Sequence, residues 1–90
     1  MKYVLFYDVA AGTRPDQLRE HFPAHKAHWA SFVEAGSLLA IGPMENPSDG
    51  ALAVFTTRAD AEGFAAADPF VTEGLVGGWR VLGWREALLP

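Results

Sequence analysis

The stretch Lys2-Tyr3-Val4-Leu5-Phe6-Tyr7-Asp8-Val9 decides the fold, because its pattern predicts a β-strand that is covered on both of its faces. β-branched and aromatic residues dominate it, which is typical of strands. Successive side chains of a strand point to opposite faces, and both alternating sets are apolar here, from Tyr3 to Tyr7 and from Val4 to Phe6. We therefore expect other protein groups to pack on both sides of this strand.

The first helical region contains a proline that leaves two interpretations open. Thr13 and Asp16 resemble a capping box at its start. Pro23 then predicts either a kink or the restart of a longer helix that runs to Ala35. After a restart, His25 would lie near a helix N-terminus, where the positive end of the helix dipole favours the neutral imidazole.

The rest of the chain predicts three more strands and one more helix. Strands are expected at 37–41, 51–56 and 79–86, with a helix from a Thr57 cap to Asp68 and a helical turn at 70–75. We expect Gly42-Pro43 to end the second strand, because proline cannot donate to a sheet ladder, and a hairpin turn at 45–50. Gly77-Gly78 is expected to release the chain into the last strand.

The order β-α-β-β-α-β predicts a ferredoxin-like α+β fold, one domain over residues 1–90, with a four-stranded antiparallel sheet and both helices on one face. The other face is apolar and needs cover, which predicts a homodimer through the open sheet face. Trp79 and Trp84 have opposite parity on the last strand, so one of them should lie in that interface.

The composition excludes several classes of function. The chain has 90 residues, a formal net charge of -4 and no cysteine. An acidic chain lacks the basic surface that nucleic acid requires, and no apolar segment is long enough to cross a membrane. The absence of cysteine suits a reducing cytoplasm, which is the location we expect. No glycine-rich phosphate loop is present, and we expect no cofactor.

An aspartate at the end of the second predicted helix stands where helices disfavour negative charge. An acid at this end of the dipole costs about 0.3–1 kcal/mol, so Asp68 is expected to have another role. Asp68 shares an apolar helix face with Phe64, and His25 shares one with Trp29. We predict that His25 and Asp68 pair. Two alternatives stay open: Asp68 caps a short helix that begins at Pro69, and His25 binds a backbone carbonyl.

Three segments resemble the YCII-related family of small bacterial proteins: Pro23-Ala24-His25, the run 35–44 and the run 67–71. The resemblance covers almost the whole chain. It implies a ferredoxin-like fold of the dimeric α+β barrel kind and an active site built around a histidine and an aspartate. Matched residue by residue, these are His25 and Asp68, with Gly42 and Pro43 at the wall of the pocket.

A His–Asp pair is the minimum for general acid–base catalysis, because the carboxylate fixes the imidazole tautomer and stabilises its protonated form. We therefore expect a small enzyme that acts on a small organic metabolite with His25 and Asp68 as catalytic residues. Trp29, Gly42, Pro43 and Phe70 are the expected substrate-binding residues. The alternative from another class is a dimeric ligand-binding or accessory module that uses the same pocket without catalysis.

His21, His25 and His28 form an H-x3-H-x2-H pattern, which on an uninterrupted helix would put three imidazoles on one face. A metal-dependent site is therefore a third hypothesis. It is the weakest of the three, because Pro23 is expected to break the helix, and the favoured prediction contains no metal. His28 is expected either at the solvent edge or at the rim of the pocket.

Overall fold

The computed structural model describes residues 1–90, which form one antiparallel sheet with helices on one face. The elements follow the predicted order, with the helical turn expected at 70–75 present as a short helix and one unpredicted 3-10 helix added. They are β1 (Lys2–Val9), α1 (Pro15–Glu34), β2 (Leu38–Pro43), a 3-10 helix (Pro47–Asp49), β3 (Ala51–Phe55), α2 (Arg58–Ala67), α3 (Pro69–Thr72) and β4 (Val76–Trp84). The strand order is β2-β3-β1-β4, so the ferredoxin-like α+β prediction is confirmed.

The first strand lies in the middle of the sheet and carries much of the core. Leu5 of β1 pairs with Ala53 of β3 on one side and with Val81 of β4 on the other. The buried cluster joins this face of the sheet to α2 and consists of Leu5, Tyr7, Leu38, Ala53, Phe55, Ala61, Phe64 and Ala65. Ala61, Phe64 and Ala65 have no exposed surface, because i, i+3 and i+4 positions share one helix face.

The first helix passes through Pro23 without a break, so neither a restart nor two helices is present. A proline in a helix interior removes one backbone hydrogen bond, and packing of the helix against the rest of the fold outweighs that loss here. His25 therefore lies well inside α1, and the expectation that it meets the positive end of a helix dipole is wrong. The predicted cap is also wrong: Arg14 is the N-cap, and its backbone N–H donates to Gln17 Oε1.

Several strand boundaries differ from the predictions, and two of these differences have a clear physical reason. β2 continues to Pro43, which pairs with Ala51, because β2 is an edge strand and the missing N–H of proline faces no neighbour. β4 begins at Val76, so Gly77 lies within the strand rather than before it. A Cβ on Gly77 would lie 3.1 Å from Ala10 Cα, and this close approach explains the glycine. A 3-10 helix replaces the expected hairpin turn.

The face of the sheet away from the helices is apolar and open. A shallow cavity of about 430 Å³ on this face is lined by Val4, Phe6, Leu52, Val54, Leu82, Gly83 and Trp84. Trp84 is paired with Lys2 on this face and is 52% exposed, whereas Trp79 is paired with Tyr7 on the helix side. The two tryptophans therefore do lie on opposite faces. None of the helices has the length and hydropathy to cross a membrane.

Candidate active site

Asp68 lies in the junction between two helices, with extended backbone that ends α2 and begins α3. The Phe70 backbone N–H donates to Asp68 Oδ1 at 3.1 Å, so the aspartate caps the short helix that starts at Pro69. Its side chain is nevertheless buried completely, which is uncommon for a cap. A buried carboxylate needs further donors, and two other residues supply them.

The two additional donors come from different parts of the fold. His25 Nδ1 lies 2.7 Å from Asp68 Oδ1, and the Tyr7 hydroxyl donates to Asp68 Oδ2 at 2.7 Å. His25 comes from the middle of α1 and Tyr7 from the central strand β1. With Phe70 N–H, three hydrogen bonds therefore hold one buried carboxylate, and each of them comes from a different element.

Tyr7 stays a hydrogen-bond donor over the whole physiological range. Burial raises the pKa of its hydroxyl far above the ordinary value of 10.0, and the adjacent Asp68 carboxylate raises that pKa further. The Phe70 N–H is a donor as well, so both carboxylate oxygens of Asp68 act as acceptors. The hydrogen between His25 and Asp68 then belongs to His25 Nδ1, which leaves Nε2 as the other ring nitrogen.

Aromatic rings hold the imidazole of His25 in place. Phe70 stacks on it with ring centroids 3.9 Å apart and an interplanar angle of 8°. Trp29 meets it edge-on at 5.5 Å and 84°. His25 Nε2 forms no hydrogen bond within the chain. This nitrogen is not fully buried, so it is open to solvent. The imidazole is thus fixed on one side and accessible on the other.

A cavity of about 570 Å³ lies in front of His25, between α1, the sheet and the 3-10 helix. This volume suits a small organic molecule. Its lining is mainly apolar and includes Leu5, Tyr7, Leu18, Phe22, His25, Trp29, Ile41, Gly42, Pro43, Phe70 and Leu75. Pro47 and Ser48 of the 3-10 helix line it as well, and the Asn46 side chain caps that helix by accepting from the Ser48 backbone N–H.

The structure brings the predicted site residues together around one cavity. His25, Trp29, Gly42, Pro43 and Phe70 line it, although they come from three separate segments of the chain. Asp68 does not line the cavity, because it lies behind His25 and contacts it through Nδ1. The imidazole would therefore be the group that meets a bound molecule.

The other two histidines do not join this site. His28 Nε2 binds the backbone carbonyl of Phe64 at 2.9 Å, so His28 is a structural residue between α1 and α2 and not part of the pocket edge. No group of three or more His, Cys, Asp or Glu side chains is arranged to hold a metal ion. The His21/His25/His28 site fails although the helix is unbroken, because His25 and His28 face different partners.

Sequence reasoning missed Tyr7 and Arg19. Both line the cavity, and Tyr7 also supports Asp68. One signal for Tyr7 was present: it shares a strand face with Leu5, and a tyrosine on a covered face needs a partner for its hydroxyl. Nothing in the sequence identifies that partner. For Arg19 the only signal was its position three residues before Phe22 on the same helix.

Comparison with solved structures shows a likeness in fold to a bacterial dehydrochlorinase. The dehydrochlorinase TftG of Burkholderia phenoliruptrix AC1100, which acts on 5-chloro-2-hydroxyhydroquinone and was solved with 2,5-dihydroxybenzoquinone, superposes with a TM-score of 0.76. The two chains are 18% identical, and the match covers 97% of this chain and 96% of that one. At this identity the likeness shows the fold alone.

A second solved structure, At3g17210 from Arabidopsis thaliana, is 17% identical, with coverage of 99% of this chain and 97% of that chain and a TM-score of 0.46. No curated protein sequence matches the chain significantly. The family pattern of the YCII-related domain does match, over residues 1–85. The chain therefore belongs to the YCII-related family.

Proposed function

We propose that this protein is an enzyme that acts on a small organic molecule by general acid–base catalysis, with His25 as the catalytic residue and Asp68 as its partner. The observation that carries the proposal is the buried series of hydrogen bonds from Tyr7 through Asp68 to His25, which ends in a ring nitrogen open to a cavity. Buried titratable groups in direct contact, beside a cavity, are typical of active sites.

In this proposal His25 Nε2 accepts a proton from the bound substrate. The imidazolium that forms is stabilised by Asp68, whose carboxylate lies 2.7 Å from Nδ1. Tyr7 and the Phe70 N–H keep that carboxylate in place, and the Phe70 ring keeps the imidazole plane fixed. His25 Nε2 then returns the proton to another atom of the substrate or to a leaving group. This sequence suits isomerisation, elimination or addition of water.

The lining of the cavity favours a compact substrate with an apolar, planar body. Phe22, Trp29 and Phe70 present aromatic surface, and Pro43 and Ile41 present aliphatic surface. The quinone bound to TftG is a planar six-membered ring compound of suitable size, and it is therefore a reasonable first probe. We use the quinone only as a probe, because the likeness to TftG is limited to the fold.

The experiment is a turnover screen with hydroxylated and chlorinated hydroquinones and related cyclic ketones. His25→Ala and Asp68→Asn are assayed beside the wild type, with His21→Ala as the matched control, because His21 lies on the same helix but outside the cavity. We expect the first two variants to lose at least about 100-fold in kcat, as general acid–base catalysis contributes 10²–10⁴. Folded variants with full turnover would refute the dyad.

We further propose that a second copy of this chain covers the open sheet face. This face is a continuous apolar surface in which Leu82 and Trp84 are 48% and 52% exposed. An exposed apolar patch of this kind is typical of an interaction site. In a two-fold dimer the same patch of each copy packs against that of the other, so both are buried. The cavity with His25 lies on the helix side of the sheet, so dimerisation would leave it accessible.

A further inference from the structure

Arg19 is a cation at the cavity, and within the chain its charge is only the smallest of the contributions that lower the pKa of Asp16. It lines the same cavity as His25, is exposed, and forms neither an ion pair nor a hydrogen bond. The nearest acid in sequence on its helix side, Asp16, is engaged by Arg14 Nε at 3.1 Å. Arg19 is therefore free to bind a group that enters from solvent.

Arg19 is the one side chain with a permanent positive charge at this cavity. Arg19 is the one Lys or Arg among the lining residues. Asp8 is the one lining carboxylate, and its Oδ2 lies 3.9 Å from the place where a Cβ on Gly78 would stand. Asp8 is exposed and alternates with Tyr7 along β1, so its side chain leaves the strand on the side opposite the Tyr7 side chain.

Arg19 and His25 are six residues apart on one helix and line a cavity that is mainly apolar. Arg19 and His25 are on the same helix, and the rise of about 1.5 Å per residue separates them by about 9 Å along its axis. Phe22 lies between them on α1, and it lines the cavity together with Leu18. An apolar lining alone does not orient a ligand, whereas a cation at one end and a base at the other define a direction.

We propose that the substrates of this site are small organic anions with a planar apolar body, and that Arg19 binds their carboxylate or ionised hydroxyl group. This inference rests on the proposed function and adds the substrate class to it. The guanidinium binds the anionic group through parallel N–H donors, the body packs along Phe22 and Trp29, and the reacting atom meets His25 Nε2. Arg19 is a specificity-determining residue in this arrangement.

The test compares binding of cinnamate and of cinnamamide, its neutral analogue of the same shape, by calorimetry at low ionic strength. The variants are Arg19→Gln and, as the matched control, Lys26→Gln, which removes the same charge from the same helix outside the cavity. We expect the wild type and Lys26→Gln to bind cinnamate at least about five-fold more tightly than cinnamamide. Arg19→Gln should remove this preference and leave cinnamamide binding unchanged.

Three results would overturn the inference: equal binding of the two ligands by the wild type, no binding of cinnamate at millimolar concentration, or a preference that persists in Arg19→Gln. His25→Ala separates this claim from the catalytic one. If the His25→Ala variant keeps the preference for cinnamate, Arg19 binds the anion, and this conclusion is independent of whether His25 and Asp68 are catalytic. If it loses the preference, the anion binds the imidazole and the assignment to Arg19 is wrong.

Discussion

The hydroxyl of Tyr7 donates a 2.7 Å hydrogen bond to Asp68 Oδ2, and the two residues are 61 positions apart in the chain. This contact joins the central strand of the sheet to the junction between α2 and α3. Asp68 is thereby held from the side opposite His25, which contacts the other carboxylate oxygen. The position of the imidazole consequently depends on the sheet as well as on its own helix.

Removal of the Tyr7 hydroxyl should destabilise the fold at neutral pH. Tyr7→Phe leaves Asp68 Oδ2 buried without a donor, and an unpaired buried acceptor costs roughly 1–3 kcal/mol. Urea unfolding at pH 7 measures the change in the free energy of unfolding. Tyr3→Phe serves as the control, because the Tyr3 hydroxyl forms no hydrogen bond and should tolerate the change. Equal stability of the two variants would contradict the role given to Tyr7.

The same tyrosine predicts a specific loss of stability in alkali. Its pKa is raised in the folded state, so the folded protein keeps a proton that the unfolded chain releases above about pH 10. The stabilisation is complete below that pH and declines above it by up to about 1.4 kcal/mol per pH unit. Urea unfolding between pH 9 and 11 should therefore show a steeper decline for the wild type than for Tyr7→Phe. Parallel declines would argue against a buried, protonated Tyr7.

The wall of the cavity depends on a glycine that no other residue can replace. Gly50 has φ +105°, and a Cβ there would overlap the backbone carbonyl of Tyr7. Gly12 has φ +83° but nothing near its Cβ position, so Gly12→Ala is the matched control. We expect Gly12→Ala to cost about 1–2 kcal/mol from backbone strain alone, and Gly50→Ala at least about 3 kcal/mol. Denaturant unfolding measures the free energy of unfolding of both variants. If Gly50→Ala loses no more stability than Gly12→Ala, the backbone around Gly50 can move to accommodate a Cβ, which would contradict this prediction.

The proposed dimer makes a prediction about mass in solution. Sedimentation should give twice the chain mass of 9.7 kDa for the wild type and a single chain for Leu82→Arg, which places a charge on the open face. Val33→Arg is the control, since Val33 is 55% exposed on the outer surface of α1. A wild type that sediments as a monomer at micromolar concentration would refute the dimer.

The sequence was sufficient for the fold where the pattern was local and strong. β1 spans Lys2–Val9 as predicted, because both alternating sets of side chains are apolar over a run of β-branched and aromatic residues. Of the two interpretations of Pro23, the restart is wrong, since the cost of a proline is local whereas the packing that offsets it comes from the whole helix. The edge position of β2, which permits Pro43, depends on sheet order and cannot be read from the segment itself.

The site was predictable in part for a similar reason. The charge of Asp68 at a helix end and the position of His25 on an apolar stripe are visible in the sequence, and the structure brings them into contact. The partners of Tyr7 and His28 are not visible, because one is a side chain far along the chain and the other is the carbonyl of Phe64. Every residue has a backbone carbonyl, so the sequence does not show which carbonyl accepts a given hydrogen bond.

The most direct test of the account is the tautomer of His25, measured by nitrogen NMR of the imidazole in the wild-type protein. Neutral histidine in water favours the hydrogen on Nε2. We predict the opposite here: in neutral His25, Nδ1 carries the hydrogen toward Asp68 and Nε2 is the unprotonated nitrogen at the cavity. His28 supplies an internal comparison, because its Nε2 lies 2.9 Å from a carbonyl oxygen and must carry the hydrogen. A hydrogen on Nε2 of neutral His25 would contradict the central claim that this nitrogen is the base.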